Sequence, residues 1–245
     1  MLDVQYVRTY YTGMARASLR DQIVAAGLRV MLRKGYVGSG VRDIVAEAGV
    51  PQGSFTNHFR SKEEFAAAVL DHYFEHVKDL VRQALDNRDL TPRERIERYL
   101  DLITERLEQD GFARGCLIGD FSLEAQSSEL LRTRLRAIFA EWRAAFAACI
   151  SEAQATGVVS STFDPLELAD FLLASWEGAI LRMKIDRDPA ALERFRTIVF
   201  HTIFGEKSSE HDRRHHASQS HGARLTHGVP RGRKSRRSGR TVSAR

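Results

Sequence analysis

The chain has 245 residues, 43% apolar and 28% charged, enough for one or two compact cores. No apolar run approaches the roughly 20 residues of a membrane helix, and the N-terminus lacks the apolar stretch of a signal peptide, so the expectation is a cytoplasmic protein without a membrane partner. Two cysteines, Cys116 and Cys149, cannot build a disulfide framework, and the net charge of +5 is unevenly spread: residues 206–245 hold eleven Lys or Arg against three Asp or Glu, which leaves the rest slightly acidic.

Residues 1–17 carry no sustained period and read as a flexible N-terminal arm; Met14, just before the first helical pattern, is an alternative start. Ile23, Ala26, Gly27, Val30 and Met31 then form one helical stripe, ended by Gly35. Val41, Ile44, Val45 and Ala48 form a shorter one, stopped by Gly49, and Pro51 suits the first turn of another helix. Ser61 and Glu64 make a capping box before a long helix through Phe65, Val69, Tyr73, Val77, Leu80 and Ala84.

The second half reads as helical too. Ile96, Tyr99, Leu100, Ile103 and Leu107 follow Thr91-Pro92, and a glycine-punctuated turn around Cys116 leads into a short helix. Leu135, Ile138, Phe139, Trp142, Phe146 and Ile150 define a long helix stopped by Gly157. Asp164-Pro165 and Asp188-Pro189 each pair an N-cap with a first-turn proline and open the last two helices. No convincing strand run exists, so the class is all-α. Residues 206–245 have almost no large apolar side chain and read as a disordered basic tail.

The most informative stretch runs from Ser39 to Phe59. Two short helices meet at Gly49, which can take the positive φ of a tight helix-turn-helix, and Ile44, Val45, Val50 and Phe55 would pack the pair together. The second helix presents small polar side chains suited to base edges and phosphates, with Arg42 and Lys62 adding charge nearby.

Here the sequence closely resembles the TetR family of transcriptional regulators. Val-Arg-Asp-Ile-Val-Ala-Glu-Ala-Gly-Val-Pro and Gly-Ser-Phe-x-x-His-Phe-x-Ser-Lys-Glu match the family signature, strongly over residues 18–65 and as helix count and order to about residue 205. The resemblance implies an N-terminal three-helix helix-turn-helix DNA-binding domain (18–62) and a C-terminal helical effector-binding and dimerisation domain (63–205). It implies a homodimer, a palindromic double-stranded operator and a small-molecule or electrophilic effector. Carried over by position, Ser39, Arg42, Gln52, Gly53, Ser54, Thr56, Asn57, His58 and Lys62 are the DNA-binding candidates. The family usually has Tyr where Thr56 stands and often Lys where Gln52 stands; both departures bear on the operator sequence.

Gly115-Cys116-Leu-Ile-Gly119 resembles a turn in family members that respond to electrophiles or acrylate-like compounds, in some of which this cysteine is the sensor. The physical case is a thiol near a helix start with Arg114 two residues away, both favouring the thiolate; the alternative is a small side chain packed in the turn. Cys149 reads as core. Tyr99, Phe121, Trp142, Phe146 and Trp176 are pocket candidates, although aromatic residues at helical spacing are more often plain core. Glu177 and Arg182 read as solvated flanks that could anchor a ligand. The basic run 231–240 fits either non-specific phosphate affinity or solubility, and the five histidines of the tail are too irregular for a metal site. Dimerisation is expected through helices 164–185 and 188–204, with Leu172, Leu173, Ile180, Phe195, Ile198 and Phe200 as two-sided apolar content.

No paired nucleophile and base, phosphate-binding loop or metal-ligand spacing marks an enzyme, and no cofactor is expected. The expected function is a ligand-responsive DNA-binding regulator, a repressor released by its effector. The alternative is a helical adaptor of the same fold that has lost specific DNA binding.

Overall fold

A computed structural model describes residues 18–205; the expected arm (1–17) and basic tail (206–245) lie outside the described residues. Within them the chain is all-α: α1 (Leu19–Lys34), α2 (Val41–Ala48), α3 (Gln52–His58), α4 (Lys62–Ala84), α5 (Pro92–Gln109), α6 (Leu117–Glu124), α7 (Glu129–Ala155), α8 (Pro165–Asp186) and α9 (Ala190–Thr202).

Local chemistry sets most boundaries. The side chains of Ser18, Ser61, Thr91, Ser128 and Asp164 each accept a backbone N–H of the first turn that follows, a device that contributes about 1 kcal/mol per helix. Ser61 caps α4 as expected, but Glu64 reaches one residue further back, to the N–H of Arg60, rather than to that of Ser61. Two prolines sit one step earlier than expected: Pro51 and Pro189 are the residues before α3 and α9, not their first turns. Asp188 nonetheless accepts the Ala190 N–H at 2.8 Å, so the last helix is capped from one position further out.

The first unit packs α1, α2 and α3 against the start of α4. Gly49 is left-handed at φ 67°, and its N–H turns back to carbonyls of Val45 and Ala46, which sets the angle between α2 and α3. Arg29 and Arg33 of α1 each reach Glu47 of α2 at 2.7 Å. Burial acts against ionisation of Glu47, but these hydrogen bonds outweigh it and hold the carboxyl below its usual range.

The division expected at residues 62/63 falls at the start of a continuous helix. α4 gives Phe65, Ala66 and Val69 to the N-terminal core, and its later turns pack on α5 and α7. Beyond it α7 lies against α8 and α8 against α9, while α6 wedges between α4 and α7.

The expected interface residues are corrected by this packing. Leu172, Leu173, Ile180 and Phe200 are buried within the chain, Phe195 packs on Trp176 at 5.2 Å, and of the six only Ile198 is exposed. Both helices are apolar on two sides, and periodicity does not say which side faces the chain's own core. The outward stripe of α8 is instead Phe171, Ala174, Gly178, Leu181 and Ile185, a three-four spacing with Ile185 73% exposed.

Gly27 faces Phe65 so closely that a Cβ there would lie 2.1 Å from the ring. Gly27→Ala is expected to cost about 1–3 kcal/mol, read as a lower thermal midpoint; an unchanged midpoint would show that Phe65 has room to move.

Candidate functional site

The polar face begins with what anchors it. Phe55 points inward from α3 and meets Phe59 at 5.4 Å and Phe65 at 5.0 Å, so the opposite face of this short helix is turned to solvent. Gln52, Gly53, Thr56 and Asn57 are exposed there, Ser54 and His58 are half-buried, and Arg42 is exposed on α2. Thr56 donates its hydroxyl to the Gly53 carbonyl at 3.0 Å.

Lys62 is partly occupied within the chain. Its ammonium lies over the Tyr36 ring at 4.5 Å and 3.4 Å from the Val37 carbonyl, and burial lowers its pKa against the pull of Glu124. Ser39 departs from the expected set. It is 1% exposed and donates its hydroxyl to the Gly35 carbonyl, because the turn before α2 folds it inward.

That turn is also held from the other half of the chain. Glu124, the last residue of α6, accepts the Val37 N–H at 2.7 Å, and Phe121 meets the Tyr36 ring at 5.4 Å. Gly35, at φ 73°, makes room for the carboxylate: a Cβ there would lie 2.4 Å from Glu124. Thus α6 ends on the turn that leads into α2.

The same helix starts at a cavity. Cys116 is its N-cap, and a space of about 360 Å³ opens beside it, walled by Gly119, Phe139, Leu173, Glu177 and Ile180 among others. A cleft of about 40 Å³ reaches the same thiol and carboxyl from the side of His76, Arg106, Trp142 and Trp176. Lys184 binds both oxygens of Asp120, at 2.8 and 2.9 Å, on the wall of the larger space.

Glu177 is the unexpected member. Its Oε1 is buried without a hydrogen-bond partner, and a Cβ on Gly119 would lie 2.5 Å from its Oε2. Burial raises its carboxyl to about 7; a hydrogen bond from the Cys116 thiol opposes the rise and Asp120 adds to it. Arg182, its companion in the sequence reading, is exposed and pairs with Asp186 at 3.0 Å.

The expected route to a Cys116 thiolate is overturned. Burial pushes the thiol well above its ordinary value and the neighbouring Glu177 raises it further, outweighing the nearby backbone N–H groups. Arg114 pairs with Asp110 at 3.0 Å instead of serving the thiol. Cys149 lies in the core, where burial raises it to about 11.

Of the aromatic candidates, Trp142 and Trp176 border the small cleft, whereas Tyr99, Phe121 and Phe146 are core residues. Among the described residues no group of three or more His, Cys, Asp or Glu could hold a metal ion, and no helix is long and apolar enough to cross a membrane.

Comparison with known proteins fits this architecture. Residues 23–69 match the profile of bacterial regulatory proteins of the tetR family, and residues 92–199 that of a tetracyclin repressor-like C-terminal domain. The chain is 44% identical over 191 residues to the HTH-type transcriptional repressor DhaR of Mycobacterium sp. strain GP1, covering 78% of this chain and 94% of that protein. It is 36% identical over 185 residues to the transcriptional regulator AcuR of Cereibacter sphaeroides, covering 75% and 84%. The crystal structure of a regulatory protein TetR from Rhodobacter sphaeroides superposes with a TM-score of 0.71 at 34% identity, over 76% of this chain and 99% of that one.

The buried carboxyl has a pH signature. Relative to an unfolded value of 4.5, a folded value of about 7 means that Glu177 withdraws stability as pH rises from 4.5 to 7. Glu177→Gln should therefore gain stability over the parent across that window and hold the gain above it. Urea denaturation at pH 4.5 and 8 checks this; an equal difference at both would mean that folding does not raise the carboxyl's pKa.

Proposed function

The chain belongs to the TetR family of bacterial transcriptional regulators, and from that premise we propose that it is a homodimeric repressor whose operator affinity falls when a small molecule or electrophile enters the cavity beside Cys116. The observation that carries the proposal is the path of α6. One end forms the cavity wall at Cys116 and Gly119; the other holds the turn before α2 through Glu124 and Phe121.

DNA contact is assigned to the exposed polar face: Arg42, Gln52, Gly53, Thr56 and Asn57, with Ser54, His58 and Lys62 at its edge. The two copies of α3 would sit about 34–36 Å apart on one side of a palindromic duplex. The described part of the chain has a slight excess of acidic groups, so phosphate attraction is local to this face. The dimer forms across the outward stripe of α8 with Ile198 of α9. Ala174, Gly178 and Leu181 belong both to this stripe and to the cavity wall, so the partner closes the cavity's outer side.

Release follows from differential affinity: an occupant that favours another position of α6 shifts the turn before α2 and with it the spacing of the two reading helices. The polar face supports a regulator rather than a catalyst, acting in the cytoplasm where its operator is.

Arg42→Ala with Asn57→Ala should weaken binding to DNA from upstream of its own gene by at least about tenfold, with the dimer intact because both side chains are exposed. Fluorescence anisotropy and sedimentation read the two outcomes. Loss of the dimer would place these residues in the core, and no DNA binding by the parent at low salt would leave a helical adaptor. Separately, N-ethylmaleimide should release the parent from DNA but not Cys116→Ser; equal release of both would exclude this thiol.

A further inference from the structure

Cys116 and Glu177 share two properties. Each lines both the larger cavity and the small cleft, and each touches the other. The contact is built for. Gly119 has no side chain where one would strike Glu177 Oε2, and Oε1 is left buried with no partner in the chain. A buried polar atom without a partner is costly, and here it stands at a cavity beside a nucleophile.

At rest the thiol holds its proton, so a reactive group entering the cavity meets a poor nucleophile. We propose that Glu177 is the proton acceptor for Cys116, and that the pair captures small, uncharged α,β-unsaturated carbonyl compounds. This rests on the effector reading above and specifies its chemistry.

In the step, the S–H bond breaks and its proton passes to a Glu177 carboxylate oxygen. The sulfur electron pair forms a bond to the β-carbon, and the C=C π pair moves onto the carbonyl to give an enolate. Glu177 then returns the proton to the α-carbon. All atoms of both reactants remain in the thioether, and no oxidant or reductant takes part.

The walls support an uncharged ligand. Lys184, the cation lining the larger space, is held by both oxygens of Asp120, while Asp170 and Glu177 are the other charge-bearing groups there. Asp170 is paired with Arg143 at 2.9 Å, so no cation lining the space is free to meet an anion. A space of about 360 Å³ also suits a compact ligand.

Glu177 has the proton affinity that such a base needs, poised at about 7 by its burial. The other groups facing this corner are Asp120 of α6, Asp170 and Lys184 of α8, Arg106 of α5, and Tyr73 and His76 of α4, with the buried Tyr99 of α5 interacting with both members of the pair. Burial, with help from His72, pushes His76 down to about 4, so it stays neutral where Glu177 titrates.

The test uses the full chain without DNA and N-ethylmaleimide as the probe, with adduct formation followed by intact-protein mass spectrometry from pH 5.5 to 8.5. The parent should take up one equivalent rapidly, with a rate that inflects near pH 7, and Cys116→Ser should lack this phase. Glu177→Gln should react on the order of 100-fold more slowly at pH 8, without the inflection, while Glu177→Asp recovers part of the rate and the inflection. Circular dichroism confirms that each variant is folded. A Glu177→Gln rate equal to the parent's would remove the carboxyl from the reaction. A faster rate would show that Glu177 only suppresses the thiolate, and would equally overturn the proposal. Rapid labelling that persists in Cys116→Ser would place the reaction at Cys149 and overturn the proposal, whereas the effector reading fails separately if neither a small molecule nor an electrophile releases the parent from DNA.

Discussion

Phe65 is the point on which the N-terminal half is assembled. It is fully buried, faces Gly27 of α1, and meets Phe55 at 5.0 Å and Phe59 at 4.8 Å. Two helices, α1 and α3, and the turn that follows α3 therefore converge on one ring from α4. The short α3, with seven residues, is too brief to be stable alone. Its orientation comes from this ring cluster below and from the Gly49 turn behind it. The polar face is outward because Phe55 is inward; no separate device is needed to present it.

A different economy governs the cavity. Its lining is largely apolar, yet it keeps one thiol and one carboxyl in contact: the carboxyl makes the thiolate harder to reach, while the thiol's hydrogen bond eases ionisation of the carboxyl. Burial works against the charged form of both. The resting thiol thus holds its proton and stays a poor nucleophile until that proton is removed. Asp120 and Lys184 form a separate pair on the same wall, which leaves Glu177 without a cation of its own.

Much of the fold was legible because helix ends are written locally. Ser61, Thr91 with Pro92, Asp164 with Pro165, and Gly49 name their positions by their own chemistry. What could not be read was tertiary choice. Ser39 looks like a polar contact in sequence, and only the turn before α2 spends its hydroxyl internally. Glu177 looks like a solvated flank because periodicity assigns a face, not what that face meets. The outward stripe of α8 was missed for the same reason: Leu172 and Leu181 are equally apolar, and only packing against α7 and α9 separates them. Gly27 sits in an apolar stripe like any small residue, and nothing in its neighbours announces a phenylalanine 38 positions later. The Gly119–Glu177 fit, by contrast, left a faint mark in the glycine spacing of the Cys116 turn.

The continuous α4 has a mechanical consequence. With 23 residues it is about 34 Å long at 1.5 Å rise per residue. Its far end packs on α5 and α7; its near end carries the Phe65 cluster and so the whole reading head. On a lever of that length, a swing of about 5° at the far end carries the head about 3 Å, close to the 3.4 Å step between stacked bases. The length of α4 alone thus turns a small rotation into a displacement on the scale of one base step.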